Sequence, residues 1–327
     1  MSDMKYPELF EPFKIGKLTI RNRIVMSPMD PKRDPKGHPF SDATIAYLAE
    51  RAKGGAGLIV TGCLTARYNI EGGLAVPTEL KYEDEFRRNL PKLVKEVHKH
   101  GAKLFPQTWL NFGRICFPIS VDKRIAVSEG PNLWAPELTN RALTTKEIEK
   151  MIASNVEMAK ICKECGADGM ALVGPYGGYL PDQFGTSLFN QRTDKYGGSV
   201  KARAQATVEM VRGIKEVCGE DFPVVIRFST RHHIEGVHKG QIPGQPYKEA
   251  GRDVEESIEL AKYYVEAGAD GFLTANGCYD ALYWQYSPCY LPEGEWLDDV
   301  APLTAADRKS TRLNSSHPTT SRMPSSA

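Results

Sequence analysis

One pattern recurs along the chain and constrains its fold more than any other feature: an amphipathic helix, a glycine, and then a short apolar strand. It appears four times, at residues 55–60, 101–105, 166–169 and 268–271. Strands that alternate with helices in this way form βαβ units and a parallel sheet. We therefore predict an α/β fold with six strands, around residues 23–28, 57–62, 103–109, 168–173, 223–228 and 270–275.

The connections between these strands are unequal in length. Long segments follow the third to sixth strands, whereas the segments that lead into strands are short. In a (β/α)8 barrel the functional loops lie at the carboxyl ends of the strands, and such a barrel needs roughly 250 residues. The chain has 327 residues. We predict a (β/α)8 TIM barrel with about six of its eight βα units, and a hairpin over residues 13–22 that closes its floor.

The end of the chain differs in composition from the rest. Residues 308–327 contain nine Ser or Thr, almost no large apolar side chains and no periodicity. We interpret residues 1–307 as one barrel domain that lacks its seventh and eighth strands, and residues 308–327 as a non-native or disordered tail. A native disordered tail is the alternative.

The charge balance argues against two classes of partner. The 42 Lys and Arg residues nearly equal the 41 Asp and Glu residues, which gives a net charge of +1. We therefore expect neither nucleic acid nor a membrane as partner, but a small-molecule substrate. The sequence shows no membrane span or signal peptide, and its seven cysteines suit reduced thiols, so we predict a cytoplasmic protein. Its oligomeric state stays open.

The most distinctive loop follows the fourth predicted strand. Residues 178–203 read GYLPDQFGTSLFNQRTDKYGGSVKAR. This loop, with NRIVMSPM at residues 22–29, resembles the old yellow enzyme family over residues 8 to about 300. The resemblance implies an FMN-binding barrel that takes hydride from NADH or NADPH onto flavin N5. It further implies transfer of that hydride to the β-carbon of an α,β-unsaturated carbonyl compound, which makes the protein an ene-reductase.

The resemblance also implies which residues contact the flavin. They are Pro28, Met29, Asp30, Gly62, Gln107 and Arg227. The Gln107 amide suits a ring edge that presents both a donor and an acceptor. The Arg227 cation, in an otherwise apolar strand, suits the negative charge that a reduced flavin develops near N1. The alternatives are surface exposure for Gln107, an ion pair for Arg227, and mere strand termination for Pro28 and Met29.

Tyr179 matches the family tyrosine that protonates the substrate α-carbon. A phenol is neutral at pH 7 and can donate one proton, although a packing role is the alternative. The chain departs from the family just before it, since Gly174 and Gly177 replace the side chains that bind the substrate carbonyl. Tyr176, Tyr279 or the histidines at 232–233 could supply that hydrogen bond, and we favour Tyr279.

Two further segments resemble one branch of the family. NFGR at residues 111–114 and NGCYD at residues 276–280 are similar to bile-acid and steroid 3-keto-Δ4 reductases, and dienoyl-CoA reductase-like members also lack the carbonyl-binding pair. We therefore predict Arg114, Tyr176 and Tyr279 as substrate-binding residues. The dienoyl-CoA reductase-like relatives carry a 4Fe-4S cluster and FAD after the barrel. We expect these two cofactors only if the protein has a C-terminal region that is missing here.

Three alternatives to this interpretation remain. The chain could be a related flavin amine dehydrogenase, or an inactive truncated fragment. A metal site is the third, because Cys162 and Cys165 form a CxxC motif and three histidines lie between residues 232 and 238. We predict no metal, since the two cysteines continue the apolar face of a helix.

Overall fold

A computed structural model describes residues 5–29, 39–71, 83–117 and 123–308. The strands are β1 (Phe13–Ile15), β2 (Leu18–Ile20), β3 (Val25–Met29), β4 (Leu58–Leu64), β5 (Lys103–Thr108), β6 (Ile125–Ala126), β7 (Gly130–Pro131), β8 (Thr139–Ala142), β9 (Met170–Val173), β10 (Val224–Ser229), β11 (Ile234–Gly236), β12 (Lys239–Gly240) and β13 (Gly271–Ala275). The α-helices are α1 (Asp42–Lys53), α2 (Glu83–Lys99), α3 (Thr145–Glu164), α4 (Leu180–Gly185), α5 (Val200–Cys218), α6 (Val254–Glu266), α7 (Leu282–Gln285) and α8 (Leu297–Arg308). Short 3-10 helices cover Pro7–Phe10, Gly113–Ile115 and Tyr279–Ala281.

Six strands form one parallel sheet in the order β3-β4-β5-β9-β10-β13. Their order in space follows their order in the chain, as in consecutive βα units of a (β/α)8 barrel. The six predicted strands are confirmed, and none of their predicted bounds differs from the observed one by more than two residues.

The glycines of the recurring pattern end the helices that precede the strands. Gly55, Gly101, Gly166 and Gly268 all have positive φ, between 72° and 113°. A side chain rarely adopts this backbone conformation, so glycine lets the chain turn sharply from helix to strand. Helix α3 begins with a capping box formed by Thr144 and Glu147. No helix within the described ranges is long and apolar enough to cross a membrane.

The predicted hairpin closes the floor of the sheet. Strands β1 and β2 pair antiparallel, and Ile15 and Ile20 are buried against the apolar side chains inside the curled sheet. These interior side chains are Leu58, Val60, Phe105, Ala171 and Val225. The interior is therefore packed at the end where the strands begin, and this leaves the carboxyl ends for a functional site.

Strand alternation places two of the predicted cofactor-binding side chains inside the sheet. Phe105 and Val225 face the interior, and Gln107 and Arg227 lie two residues further along the same strands. Because successive side chains point to opposite faces, Gln107 and Arg227 share the interior face. They lie toward the carboxyl ends of β5 and β10, as the sequence predicted.

The outer layer of the barrel is formed by the helices. Cys162 and Cys165 are buried in the core between helices and sheet, as their apolar spacing indicated. At the end of the described chain, α8 lies against α6 and buries Leu303. Residues 309–327 lie outside the described residues, so the division of the chain at residue 307 stays a prediction.

Candidate active site

Five aromatic side chains form a cluster at the carboxyl end of the sheet: Trp109, Phe112, Tyr176, Tyr179 and Tyr279. Tyr179 is at its centre, because its ring centroid lies 5.5–5.8 Å from the centroids of the other four rings. The members come from the loops after β5, β9 and β13. The fold therefore brings the predicted proton donor together with two of the predicted substrate-binding residues, Tyr176 and Tyr279.

The Tyr179 and Tyr279 hydroxyls form a hydrogen-bonded pair, with an O···O distance of 3.2 Å. Burial raises the pKa of Tyr179, and the neighbouring Tyr279 hydroxyl raises it further. Burial also raises the pKa of Tyr279, against the effect of its hydrogen bond to Tyr179. Both phenols therefore keep their protons at neutral pH, and Tyr179 is a neutral acid next to a second hydroxyl.

Backbone hydrogen bonds of the preceding glycine loop position Tyr179. The Gly178 amide, at a φ of +89°, donates to Asp182 Oδ2 at 2.7 Å. The Gly177 amide donates to Ser229 Oγ at 3.2 Å. The loop is therefore fixed both to α4, which follows it, and to the end of the adjacent strand β10.

Asp182 belongs to a fully buried charged network behind this loop. Arg252 Nη1 donates to Asp182 Oδ1 at 2.6 Å, and His232 Nε2 lies 3.0 Å from the same oxygen. The Arg252 backbone amide donates to His232 Nδ1 at 3.2 Å, so the imidazole carries its proton on Nε2 and donates it to Asp182. His232 is thus engaged in this network, which favours the tyrosines over the histidine pair as hydrogen-bond donors to substrate.

Gln107 is fully buried, and its amide is only partly satisfied. Sγ of Cys63, a residue of the adjacent strand β4, lies 3.1 Å from Gln107 Oε1. Gln107 Nε2 has no hydrogen-bond partner within the described part of the chain. An unpaired buried donor is costly, so this one is available for a ligand at the carboxyl end of β5.

Arg227 carries a positive charge on the same interior face. It forms no ion pair with any carboxylate of the described residues, which argues against the ion-pair alternative. Its guanidinium instead lies 3.9 Å from the centre of the Tyr176 ring. Burial raises the pKa of Tyr176 to about 12, and Arg227 opposes that rise. The cation is therefore open to an anionic or strongly accepting group.

The other predicted cofactor-binding residues lie on neighbouring strands. Pro28 is in β3, and the half-exposed Met29 ends that strand with its sulfur 3.0 Å from the Tyr47 hydroxyl on α1. Gly62 is in the second half of β4, next to Cys63. Asp30 lies outside the described residues. The contacts expected from Pro28 and Met29 are backbone contacts, and these positions allow them.

Arg114 is engaged in a buried ion pair. Its guanidinium donates to both carboxylate oxygens of Asp280, at 2.7 and 3.2 Å, and both side chains are at most 5% exposed. The pair joins the loop after β5 to the turn that carries Tyr279. This geometry favours a positioning role for Arg114 over the direct substrate contact that the sequence suggested.

Several residues of the site were missed by the sequence analysis. Trp109 and Phe112 had a signal, an aromatic pair at the end of a predicted strand. Glu71 had none: its carboxyl oxygens accept hydrogen bonds from the Phe112 and Gly113 amides at 3.0 and 2.6 Å, and these bonds hold the loop after β5. Arg252 also had none, because its partner Asp182 is 70 residues away in the chain.

The chain is similar to known flavin oxidoreductases. Residues 8–270 match the model of the NADH:flavin oxidoreductase / NADH oxidase family. Cinnamate reductase of Clostridium sporogenes is 38% identical over 324 residues, covering 95% of this chain and 49% of that protein. NADH oxidase of Thermoanaerobacter brockii is 33% identical over 298 residues, covering 88% of this chain and 42% of that protein.

A solved structure agrees with the architecture. A 2-naphthoyl-CoA reductase in complex with 2-naphthoyl-CoA superposes with a TM-score of 0.76 at 27% identity, over 92% of this chain and 45% of that one. The chain thus spans half or less of the length of these relatives. The likeness confirms the predicted (β/α)8 barrel architecture, and the family match confirms the predicted resemblance to FMN-dependent oxidoreductases. The chain therefore belongs to the NADH:flavin oxidoreductase / NADH oxidase family.

Proposed function

We propose that this protein is an FMN-dependent ene-reductase that uses NADH or NADPH to reduce the carbon–carbon double bond of an α,β-unsaturated carbonyl compound, with Tyr179 as proton donor. The observation that carries the proposal is the position of Tyr179. It is a neutral, partly buried phenol at the centre of an aromatic cluster, hydrogen-bonded to a second phenol that can help return its proton.

The residues at the carboxyl ends of the strands suit FMN. Among the residues that the structure describes, Gln107 Nε2 has no hydrogen-bond partner and Arg227 forms no ion pair with a carboxylate. Both side chains lie on the same interior face of the sheet. Gln107 suits the hydrogen-bonding edge of the flavin ring, and Arg227 suits its negative charge on reduction. Pro28, Met29, Asp30 and Gly62 would contact the ring from the neighbouring strands. The Tyr176 ring covers one side of Arg227, so a flavin would reach the guanidinium from another side or displace that ring.

Bound FMN would supply the hydride, taken from the nicotinamide and delivered to the substrate β-carbon. The protein supplies the proton. Tyr179 holds it on a hydroxyl whose raised pKa prevents its loss at neutral pH, and would donate it to the α-carbon. The Tyr279 hydroxyl, 3.2 Å away, can pass a proton back to Tyr179. The four rings in contact with Tyr179 would reduce the access of water to this transfer.

The aromatic lining of the site suits a planar, conjugated substrate. Trp109, Phe112 and Tyr176 offer ring faces and edges to an aryl group. The relatives named for cinnamate and 2-naphthoyl-CoA act on compounds of this kind, so we propose an aryl-substituted unsaturated carbonyl compound as substrate. A 3-keto-Δ4 steroid or bile acid and a dienoyl thioester are the other substrates to compare.

Flavin binding and a two-stage kinetic experiment test the proposal. The visible absorbance of the purified chain, mixed with FMN and filtered, first shows whether flavin binds. The reduced protein is then mixed anaerobically with cinnamaldehyde and with a 3-keto-Δ4 steroid, and the oxidised protein is mixed separately with sarcosine. Rapid flavin reoxidation by an unsaturated carbonyl compound supports the proposal. Flavin reduction by sarcosine, without reoxidation by any enone, would instead identify an amine dehydrogenase.

The variant Tyr179→Phe assigns the proton donor. It keeps the ring and its four aromatic contacts but removes the hydroxyl. Reduction by the nicotinamide should be nearly unchanged, while reoxidation by the enone should slow by about 10²–10⁴-fold, since only the second step needs a proton at carbon. Equal slowing of both steps would show that Tyr179 has only a packing role. Tyr263→Phe, a change on the outer helix α6 that removes a hydroxyl bonded to Glu259, is the matched control and should leave both steps as they are.

A further inference from the structure

Two glycines leave the site without the side chains that would otherwise project from the loop after β9. A Cβ atom at Gly174 would lie 2.3 Å from Ile226 Cγ2, so the adjacent strand excludes any side chain there. Gly177 has a φ of +67°, and a Cβ atom on it would lie 2.7 Å from Nε2 of Gln285, a residue more than one hundred positions later. A carboxamide from another element thus fills the space beside Gly177.

Glycines also allow the helix that carries this carboxamide to come close. A Cβ atom at Gly277 would lie 2.7 Å from the Gln285 backbone nitrogen and 2.8 Å from Trp284 Cβ, so a side chain there would push α7 away. The Tyr279 amide donates to Gly177 O at 3.0 Å and joins the two segments directly. Glycines at 177 and 277 are therefore both needed for Gln285 to reach its position.

The Gln285 carboxamide is buried without being satisfied. Neither its Nε2 nor its Oε1 makes a hydrogen bond of normal geometry with any described residue, although both atoms are shielded from solvent. The amide interacts with the Tyr176 phenol, which is itself part of the aromatic cluster. A Cβ atom on Gly177 would lie 2.7 Å from Gln285 Nε2 and 3.4 Å from Tyr179 Cε2. The donor is therefore next to the ring of the proposed acid.

We propose that Gln285 binds the substrate carbonyl oxygen, with its Nε2 donating the hydrogen bond that residues 174 and 177 cannot supply. The Tyr279 hydroxyl, favoured for this task from the sequence, is instead hydrogen-bonded to Tyr179. A carboxamide has two N–H donors, and one of them directed at the oxygen stabilises the negative charge that develops there as the β-carbon accepts hydride. Tyr179, on the adjacent side, protonates the α-carbon. This inference rests on the proposed ene-reductase function and assigns the group that activates its substrate.

Two variants of similar length, Gln285→Met and Gln285→Glu, test the assignment in the FMN-loaded full chain. Both retain the packing volume and remove the amide N–H groups. With the enone 4-phenyl-3-buten-2-one, flavin reoxidation should slow by about 10²-fold, while reduction by the nicotinamide should be unchanged. Gln205→Met, a change on α5 away from the site, is the matched control and should leave both steps as they are.

An infrared measurement separates hydrogen bonding from packing. The saturated ketone 4-phenyl-2-butanone, labelled with ¹³C at the carbonyl, cannot be reduced at carbon–carbon bonds and reports the hydrogen bond through its C=O stretch. The stretch should fall in frequency on binding to the unaltered protein, and this shift should be absent in both Gln285 variants. Thermal unfolding of each variant identifies any that is misfolded, and the other variant then carries the test.

The outcomes separate this inference from the proposed function. If the unaltered protein reduces the enone but both variants retain the carbonyl shift and the rate of reoxidation, Gln285 is not the donor and the inference is wrong. If the unaltered protein binds no FMN, or reduces no unsaturated carbonyl compound, the proposed function fails and this inference fails with it.

Discussion

The buried network behind Tyr179 yields a quantitative prediction for Asp182→Asn. Asp182 is fully buried and accepts from Arg252 Nη1 at 2.6 Å, His232 Nε2 at 3.0 Å and the Gly178 amide at 2.7 Å. Burial alone would raise the pKa of this carboxyl, but the groups of His232 and Arg252 hold it well below its usual range. The side chain is therefore an anion, and asparagine removes that charge without changing its shape.

The expected cost follows from what the substitution leaves behind. Arg252 is also fully buried, and its other acceptors are neutral, namely the carbonyl groups of Pro175 and Ser229 and the Ser257 hydroxyl. Asp182 is the carboxylate that pairs with this guanidinium within the described ranges, and loss of such a partner costs about 3–5 kcal/mol of unfolding free energy. The Asn NH2 group would also face the Gly178 N–H group, and because both are donors no hydrogen bond could form between them. Against a total stability of about 5–15 kcal/mol, this loss is large.

Urea unfolding at equilibrium measures the effect, with Arg252→Met and the double variant completing a mutant cycle. The double variant should be more stable than the sum of the two single losses predicts, because it removes the uncompensated charge as well. A loss below about 1 kcal/mol in Asp182→Asn, or strictly additive losses, would refute the argument that the pair compensates a buried charge. The FMN-loaded Asp182→Asn variant should also reoxidise slowly with an enone, since Gly178 would no longer hold Tyr179 in place.

Three further predictions use other parts of the structure. Arg227→Met should lower the flavin reduction potential by roughly 30–90 mV, because a cation near the reduced ring contributes about 1–4 kcal/mol, and an unchanged potential in spectroelectrochemical titration would make Arg227 a purely structural residue. Burial raises the pKa of Glu71 from 4.5 to about 8, so the folded state holds a proton that the unfolded state loses above about pH 4.5. Stability should therefore fall by up to about 5 kcal/mol as pH rises to about 8, and urea unfolding of Glu71→Gln should lack this slope. Lys215→Met should lower the free energy of unfolding by about 2–4 kcal/mol, because Nζ of this buried lysine donates to Asp270 and to two backbone carbonyls. Lys17→Met removes an exposed ion pair and should lower the free energy of unfolding by less than about 1 kcal/mol.

The sequence predicted the architecture well because the signals for it are local. A helix end with positive φ needs glycine, and the apolar strand follows within a few residues, so each βα unit can be read from about thirty neighbouring positions. The strand alternation then fixes which side chains face the interior. Gln107 and Arg227 share that face because each lies two residues beyond an interior side chain of its own strand. Loop conformations carry no such repeating signal, and the contacts between loops were not predicted.

The contacts missed from the sequence join residues far apart in the chain. Tyr179 meets Tyr279 across 100 positions, and Arg252 meets Asp182 across 70. Neither pair has a spacing that a single sequence reveals, because each depends on how two loops fold over the same end of the sheet. The side chain that fills the space beside Gly177 is that of Gln285. No local sequence pattern predicts this contact, because it also depends on how two loops fold over the same end of the sheet.

The most recognisable motif of the chain proves to be mostly structural. Asn190 Nδ2 donates to the carbonyl groups of Phe184 and Tyr196, and Arg192 pairs with Asp194 two residues later. These polar residues satisfy one another and hold the chain between α4 and α5, so they identify the family without taking part in its chemistry. The positions that differ from the family, the glycines at 174 and 177, lie instead beside Tyr179 where substrate would bind. A (β/α)8 barrel builds its site from several independent loops, so a hydrogen-bond donor on another loop, as proposed for Gln285, requires no change of the fold.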